Sequence, residues 1–257
     1  MSYPIWAPLL VELDRWSSAG RRLRLWLRDD DAVAPSPQLD RLVALAEDFD
    51  APVLLAVIPF LAQPALSERL RSAPLLLPCQ HGAWHRNHAP QGEKKSEFGC
   101  YRPAEVIVAE IAAARRRLAD LFGPALLPVF VPPWNRIDRN IAANLPELGF
   151  SGLSCFRNFR FAAPSGFSVV NTQIDIIDWH NGRIGRPAPA IAEEIVTELA
   201  RRREAGLWES PLGLLLHHRD HDDGAWAVLD ALLGSMARHP AVELVCLRQL
   251  FSGLNIA

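Results

Sequence analysis

The chain has 257 residues, 49% of them apolar, and a formal net charge of −2 at pH 7. This length and apolar content fit one large α/β domain with a substantial core, and the near-neutral charge argues against a nucleic-acid or membrane-surface binder. No apolar run approaches the roughly 20 residues needed to span a bilayer.

Met1–Trp16 lacks the basic start of a signal peptide and carries Glu12 and Asp14 early. The cysteines Cys79, Cys100, Cys155 and Cys246 are scattered and form no C-x-x-C pair. Reduced thiols and a cytoplasmic location are therefore expected.

Strand-like and helix-like patterns alternate along the chain. The stretch RLRLWLRDDD alternates apolar and polar from Leu23 to Leu27 as a strand does, and a helical pattern spans Leu39–Phe49. The proline-bounded run APVLLAVIP and the run APLLLPCQH read as buried parallel strands. PAEVIVAEIAAARRRLADLFG is a long amphipathic helix with Pro103 near its first turn and Gly123 at its end; its Arg115–Arg117 run is a solvated face. ALLPVFVPPW, FSGLSC and FSVVNTQIDIIDW supply further strands, and PAIAEEIVTELARRREAG a helix ending at Gly206. PLGLLLHHRDHDD is a strand running into a polar loop, AWAVLDALLGSMARH a helix, AVELVCL a last strand, and RQLFSGL a short last helix.

Repeated strand–helix pairing predicts a parallel sheet covered by helices, with a closed or nearly closed barrel favoured over an open doubly wound sheet. No glycine-rich phosphate loop follows the first strand, which argues against nucleotide binding.

The unusual polar residues fall at the C-terminal ends of these strands. Asp29, Asp30 and Asp31 end the first, His81 the third, and Trp134, Asn135 and Arg136 follow the fourth; Asp175 and Asp178 end TQIDIIDW, and His217 and His218 end GLLLHH. In a parallel barrel such ends converge on one rim. If the segment after His81 is helical, His81 and His85 share a face and suit one cation, with a carboxylate from the aspartate triplet. Adjacent strand residues point to opposite sides, so the strand must bend if two aspartates serve one site.

In this order the residues resemble the polysaccharide deacetylase superfamily, from residue 28 to about 220. The matching motifs are RDDDA, HGAWH, PPWNR, DIIDW and LLLHH. The resemblance implies a single distorted (β/α)7 barrel, spanning residues 1–257 as one catalytic domain, that removes an N-acetyl group from an amino sugar or related amide. It implies one divalent metal, with zinc expected, held by Asp31, His81 and His85. Asp30 is then similar to the general base, His217 or His218 to the general acid, and Asp178 to the aspartate that supports them. Trp179 resembles a wall of the acetyl pocket; Trp134, Asn135 and Trp84 are candidate sugar contacts.

The chain departs from the family pattern in three places. The arginine that begins the third motif is replaced by Val131, and Arg136 is the candidate substitute. The aspartate triplet leaves Asp29/Asp30 open as an alternative pair, and either adjacent histidine fits the acid position. His88, His180 and His221 match no motif, and the polar loop Gly92–Gly99 is an ordinary solvated loop or a cover over substrate. The rival to an enzyme is a catalytically impaired barrel that binds carbohydrate or regulates.

Overall fold

A long strand, β1 (Leu23–Ala32), runs through the centre of a curled parallel sheet in the computed structural model, which describes residues 4–252. The other strands are β2 (Val53–Val57), β3 (Leu76–His81), β4 (Val129–Val131), β5 (Gly152–Leu153), β6 (Ser168–Val169), β7 (Ile174–Asp175), β8 (Ile177–Asp178), β9 (Ile184–Gly185), β10 (Leu212–Leu216) and β11 (Val242–Leu244). The helices are α1 (Ala7–Ser18), α2 (Pro37–Asp48), α3 (Pro64–Leu70), α4 (Ala104–Phe122), α5 (Arg139–Ala142), α6 (Ala188–Glu204), α7 (Asp223–Met236) and α8 (Leu247–Leu250).

The sheet order is β6-β5-β4-β3-β2-β1-β10-β7, with β11 also pairing β1; β8 and β9 form a separate antiparallel hairpin. Strands β6 and β7 stand at the two ends of this order but belong to one stretch of chain: Thr172 bridges Phe156 beyond β5 and the Gln173 N–H donates to the Gly213 carbonyl of β10, so the sheet curls into a barrel. The fold class expected from the sequence is the one found.

Strand alternation divides the molecule into an inside and an outside. On β1, Leu23, Leu25 and Leu27 join the helix-side core with Leu39, Leu42, Ile195 and Leu229. Trp26 faces the other way and packs with Leu54, Ala56, Cys79, Val129 and Val131 in the barrel interior. Burying these apolar side chains supplies the main driving force for the fold. The interior is narrow. A Cβ at Gly213 would come within 2.6 Å of the Trp26 indole, so β10 passes this point with no side chain.

Several elements differ from the pattern reading. No element was expected before Leu23, yet α1 forms there and buries Leu9, Leu13 and Trp16, with Trp16 edge-on to Trp208. FSVVNTQIDIIDW breaks into β6, β7 and β8 rather than one strand, because side-chain bonds from Asn171 and Gln173 interrupt the ladder. The last helix is α8; Gly253 and Leu254 lie outside the described residues. No helix among the described residues is long and apolar enough to cross a membrane.

Candidate metal and catalytic site

Four consecutive charged residues, Arg28 to Asp31, end β1, and the strand sends them to three places. Arg28 and Asp30 share the face of Trp26 and point into the barrel; both are buried. Asp29 shares the face of Leu27 and points toward the helices, where it accepts from the backbone N–H of His218 at 2.7 Å and bonds His218 Nδ1. Asp31 follows a register shift between Asp29 and Ala32 and has φ +72°, a left-handed conformation rare outside glycine. The bulge is the bend that two working aspartates require. It turns Asp31 onto the rim while Asp30 stays inside.

His81 ends β3 with its Nδ1 3.0 Å from the Val131 carbonyl. A carbonyl only accepts, so Nδ1 carries the proton and Nε2 is left to bind. His81 Nε2 lies 3.1 Å, and His85 Nε2 3.2 Å, from Asp31 Oδ1. The ligand atoms of Asp31, His81 and His85 all fall within 4.8 Å of one another.

The segment between the histidines is not helical. It is a loop in which Gly82 and His85 both have positive φ, +58° and +59°. Glu97 organises it: its carboxylate accepts the N–H groups of Ala83 at 3.2 Å, Trp84 at 2.8 Å and Arg86 at 3.3 Å. A side chain at position 82 would collide with the Glu97 carboxylate and with Pro133, so the loop requires glycine there. Burial pushes the Glu97 carboxyl up, and the three N–H bonds offset part of that shift.

Burial also opposes the charged form of Asp31. The hydrogen bond to His81 and the charges of His81, His85 and His217 outweigh it, and the carboxyl is held well below the usual carboxylate range. His81 is depressed by burial, but the Asp30 and Asp31 carboxylates reverse this and raise it. Burial and the neighbouring His81 charge lower His85.

Arg28 spans the barrel interior. Its Nη2 donates to Asp30 Oδ2 at 3.0 Å and to Asn135 Oδ1, and its Nη1 donates to Ser154 Oγ at 2.8 Å and the Cys155 carbonyl at 3.0 Å. Nε is 2.9 Å from Asp30 Oδ1 but off the hydrogen-bond line, so that contact is ionic and Nη2–Oδ2 is the aligned bond. With valine at position 131, the arginine that contacts Asp30 comes from β1, two residues before it. Arg136, the expected substitute, instead donates to the Lys95 carbonyl at 2.9 Å.

Alternation also separates the two histidines after β10. His218 lies on the helix side, fully buried against Asp29. His217 lies on the interior side, its ring 4.6 Å edge-on from that of Trp179, and its charge acts on both Asp31 and Asp175. Asp175 is the carboxylate on which His217 acts in this geometry. Burial raises its pKa, with His217 as the main opposing influence, and it accepts from Trp179 Nε1 at 2.8 Å and the Ile177 N–H at 2.9 Å.

Asp178, the aspartate expected to support the catalytic groups, is turned outward and caps the following turn. It accepts from the N–H groups of His180 and Asn181 and from the Asn181 side chain, whose bond is the chief reason its pKa is lowered.

The expected sugar contacts divide similarly. Trp179 is 36% exposed and lines the mouth beside His217. Trp134 packs 4.4 Å from His85. Asn135 faces inward to Arg28. Trp84 stacks 4.5 Å from Phe60 and carries the Arg86 guanidinium, so it belongs to packing. His88 and His180 lie outside the three-ligand group; His221 Nε2 accepts the His217 N–H at 3.2 Å.

A cavity of about 980 Å³ lies elsewhere, between α6 and the β6/β7 side of the sheet. None of the site residues above lines it. Of its acids, Glu198 pairs with Arg201 and Arg202, and Glu194 with Arg157 and Arg186. It holds no comparable group of ligands.

No protein-family model and no curated protein matches the chain. Solved structures do. A Mycobacterium smegmatis protein assigned to the polysaccharide deacetylases is similar at TM-score 0.62 and 16% identity, over 90% of this chain and 89% of that one. A family 4 carbohydrate esterase from Streptomyces lividans, in complex with acetate, is similar at 0.55 and 14%, over 86% and 91%. A polysaccharide deacetylase from Bacillus cereus is similar at 0.53 and 18%, over 87% and 91%. At these identities the likeness establishes the fold: the chain has the curled (β/α)7 architecture of the polysaccharide deacetylases.

Proposed function

We propose that the chain is a metal-dependent deacetylase that hydrolyses the N-acetyl amide of an amino sugar or related glycan. The observation that carries this reading is the convergence of Asp31, His81 and His85 on one point, with Asp30 and His217 beside them on the barrel interior. The ligand set fits a divalent ion. Two neutral-capable imidazole nitrogens and one carboxylate oxygen leave room for water, the arrangement common at catalytic zinc. Asp31 Oδ1 is buried and faces the Nε2 atoms of His81 and His85 at 3.1 and 3.2 Å, the grouping expected of atoms that would share a cation.

A divalent ion there would polarise the acyl carbonyl and acidify a water. Asp30, held by Arg28, takes the proton from that water as its oxygen attacks the acyl carbon. His217 gives a proton to the amide nitrogen as the C–N bond breaks, and the products are acetate and the free amine. Asp175 stabilises the charged imidazole. Trp179 closes one side of the acetyl position and limits water there.

The non-catalytic reading drew its force from Val131. Arg28 weakens it, because the buried carboxylate is paired after all. The test is metal content and acetate release for the wild type, His81→Ala and His85→Ala. About one ion per chain, lost in both variants together with turnover on acetylated amino sugars, supports the reading. Bound metal with no acetate released from any such sugar refutes it.

A further inference from the structure

The mouth of this site carries cations without anionic partners. Arg219 Nη1 donates to the backbone carbonyl of Asp31 at 3.1 Å. Lys95 Nζ sits 6.0 Å from the Trp134 ring, which is itself 4.4 Å from His85. Arg86 directly follows a ligand histidine, and Arg136 holds the Lys95 carbonyl. None of these four has a carboxylate within ion-pair distance among the described residues. Some arginines elsewhere do, such as Arg69, Arg157 and Arg202, and others, such as Arg116 and Arg139, do not, so it is the gathering of four around one site that matters.

Of the nearby acids, Asp220 faces Arg183 at 3.9 Å, while Glu93, which accepts from Tyr101, and Asp178, which caps its own turn, keep their charge. Deeper in, Arg28 and a divalent ion at the three ligands would together match the carboxylates of Asp30, Asp31 and Asp175. At the rim the four cations outnumber Glu93 and Asp178, and that excess shapes the field that an arriving molecule meets.

We infer that the substrate is an anionic amino sugar, with a phosphate or carboxylate placed to reach Lys95 or Arg219 while its acetamide faces the metal ligands. The acetamide part rests on the deacetylase reading; the anion part rests on the rim alone. Unpaired cations on neighbouring elements steer and hold an anion, and the effect weakens as salt screens it.

The metal-loaded chain is titrated with N-acetylglucosamine 1-phosphate, N-acetylmuramic acid and N-acetylglucosamine, following tryptophan fluorescence. At least one anionic sugar is expected to bind about tenfold more tightly than the neutral one, and which of them does so separates phosphate from carboxylate. That advantage should shrink between about 20 mM and about 300 mM salt. It should also shrink in Lys95→Gln/Arg219→Gln that retains its metal.

Equal binding of all three sugars overturns the inference. So does an advantage that neither salt nor the double variant changes, since the anion is then bound by the metal itself. Acetate release is scored separately. Anion preference without acetate release defeats the deacetylase reading alone, and acetate release without anion preference defeats this inference alone.

Discussion

Replacing Arg28 with methionine tests whether this arginine holds the catalytic carboxylate. Arg28 is fully buried and bonds Asp30, Asn135, Ser154 and the Cys155 carbonyl. Methionine keeps the unbranched stem and removes every donor. The Asp30 carboxylate then stays buried without the arginine that pairs with it. Breaking a buried ion pair from one side costs about 3–5 kcal/mol, most of it the penalty for the orphaned charge.

That penalty predicts a second result. Arg28→Met/Asp30→Leu replaces both partners by apolar groups, so it should recover most of the lost stability although it cannot turn over. Urea unfolding of the two single variants and the double gives the coupling directly. For catalysis, Arg28→Met should lower kcat by about 10²-fold or more, within the range a positioned base contributes, while KM changes less. Arg28→Lys should fall between, since one ammonium cannot reach all four partners. Metal content should remain near one ion per chain, because Arg28 touches none of the three ligands. If Arg28→Met unfolds within about 1 kcal/mol of the wild type, or the two single effects simply add, Arg28 does not hold Asp30 as described.

Three further outcomes are expected. His217→Gln should abolish acetate release with little loss of stability, whereas His218→Gln should mainly destabilise, by about 1–3 kcal/mol, by leaving buried Asp29 short of a partner; equal effects on both properties would contradict the assignment of the two faces. Glu97→Ala should weaken metal affinity about 10–100-fold, as loss of an outer support does, read by competition with a chelator; unchanged affinity would show that the loop holds its shape without Glu97. Burial holds His221 down at about 4, below its ordinary 6.5, so only the unfolded chain takes up its proton between those values. Its contribution to stability is complete above pH 6.5 and is lost as pH falls from 6.5 toward 4, by up to about 3 kcal/mol. His221→Gln, which can still accept from His217, should remove that slope, and identical pH profiles of urea unfolding would refute it.

Much of the site was legible because strand alternation is a simple rule. The i, i+2 relation of a strand places Arg28 with Asp30 and sets Asp29 on the opposite face with Leu27. The arginine that Val131 lacks could therefore have been found by counting two residues back from the base. The position of Asp31 could not, since the bulge that turns it lies in its own backbone angle. Glu97 carried no signal either. Its partners are three backbone N–H groups more than ten positions earlier, and nothing in the side chains of that loop marks them. Asp175 and Asp178 are both acids of one motif, and only the β8–β9 hairpin decides that the second faces solvent.

The same alternation explains how one strand carries four adjacent charges without mutual ruin. A run of three carboxylates on one face would be strongly repulsive in a buried setting. Here Asp29 is removed to the helix side and bonded to His218, and Asp30 is bonded to Arg28 on the inside. Asp31 alone is left facing two imidazoles. It also lacks a cationic side chain of fixed charge within ion-pair distance, so its neutralisation depends on protonated histidine or on a bound ion. Neutral histidine is the form that binds metal. An ion at this point would therefore replace the histidine protons as the counter-charge of Asp31, and its binding should release protons as it stabilises the fold.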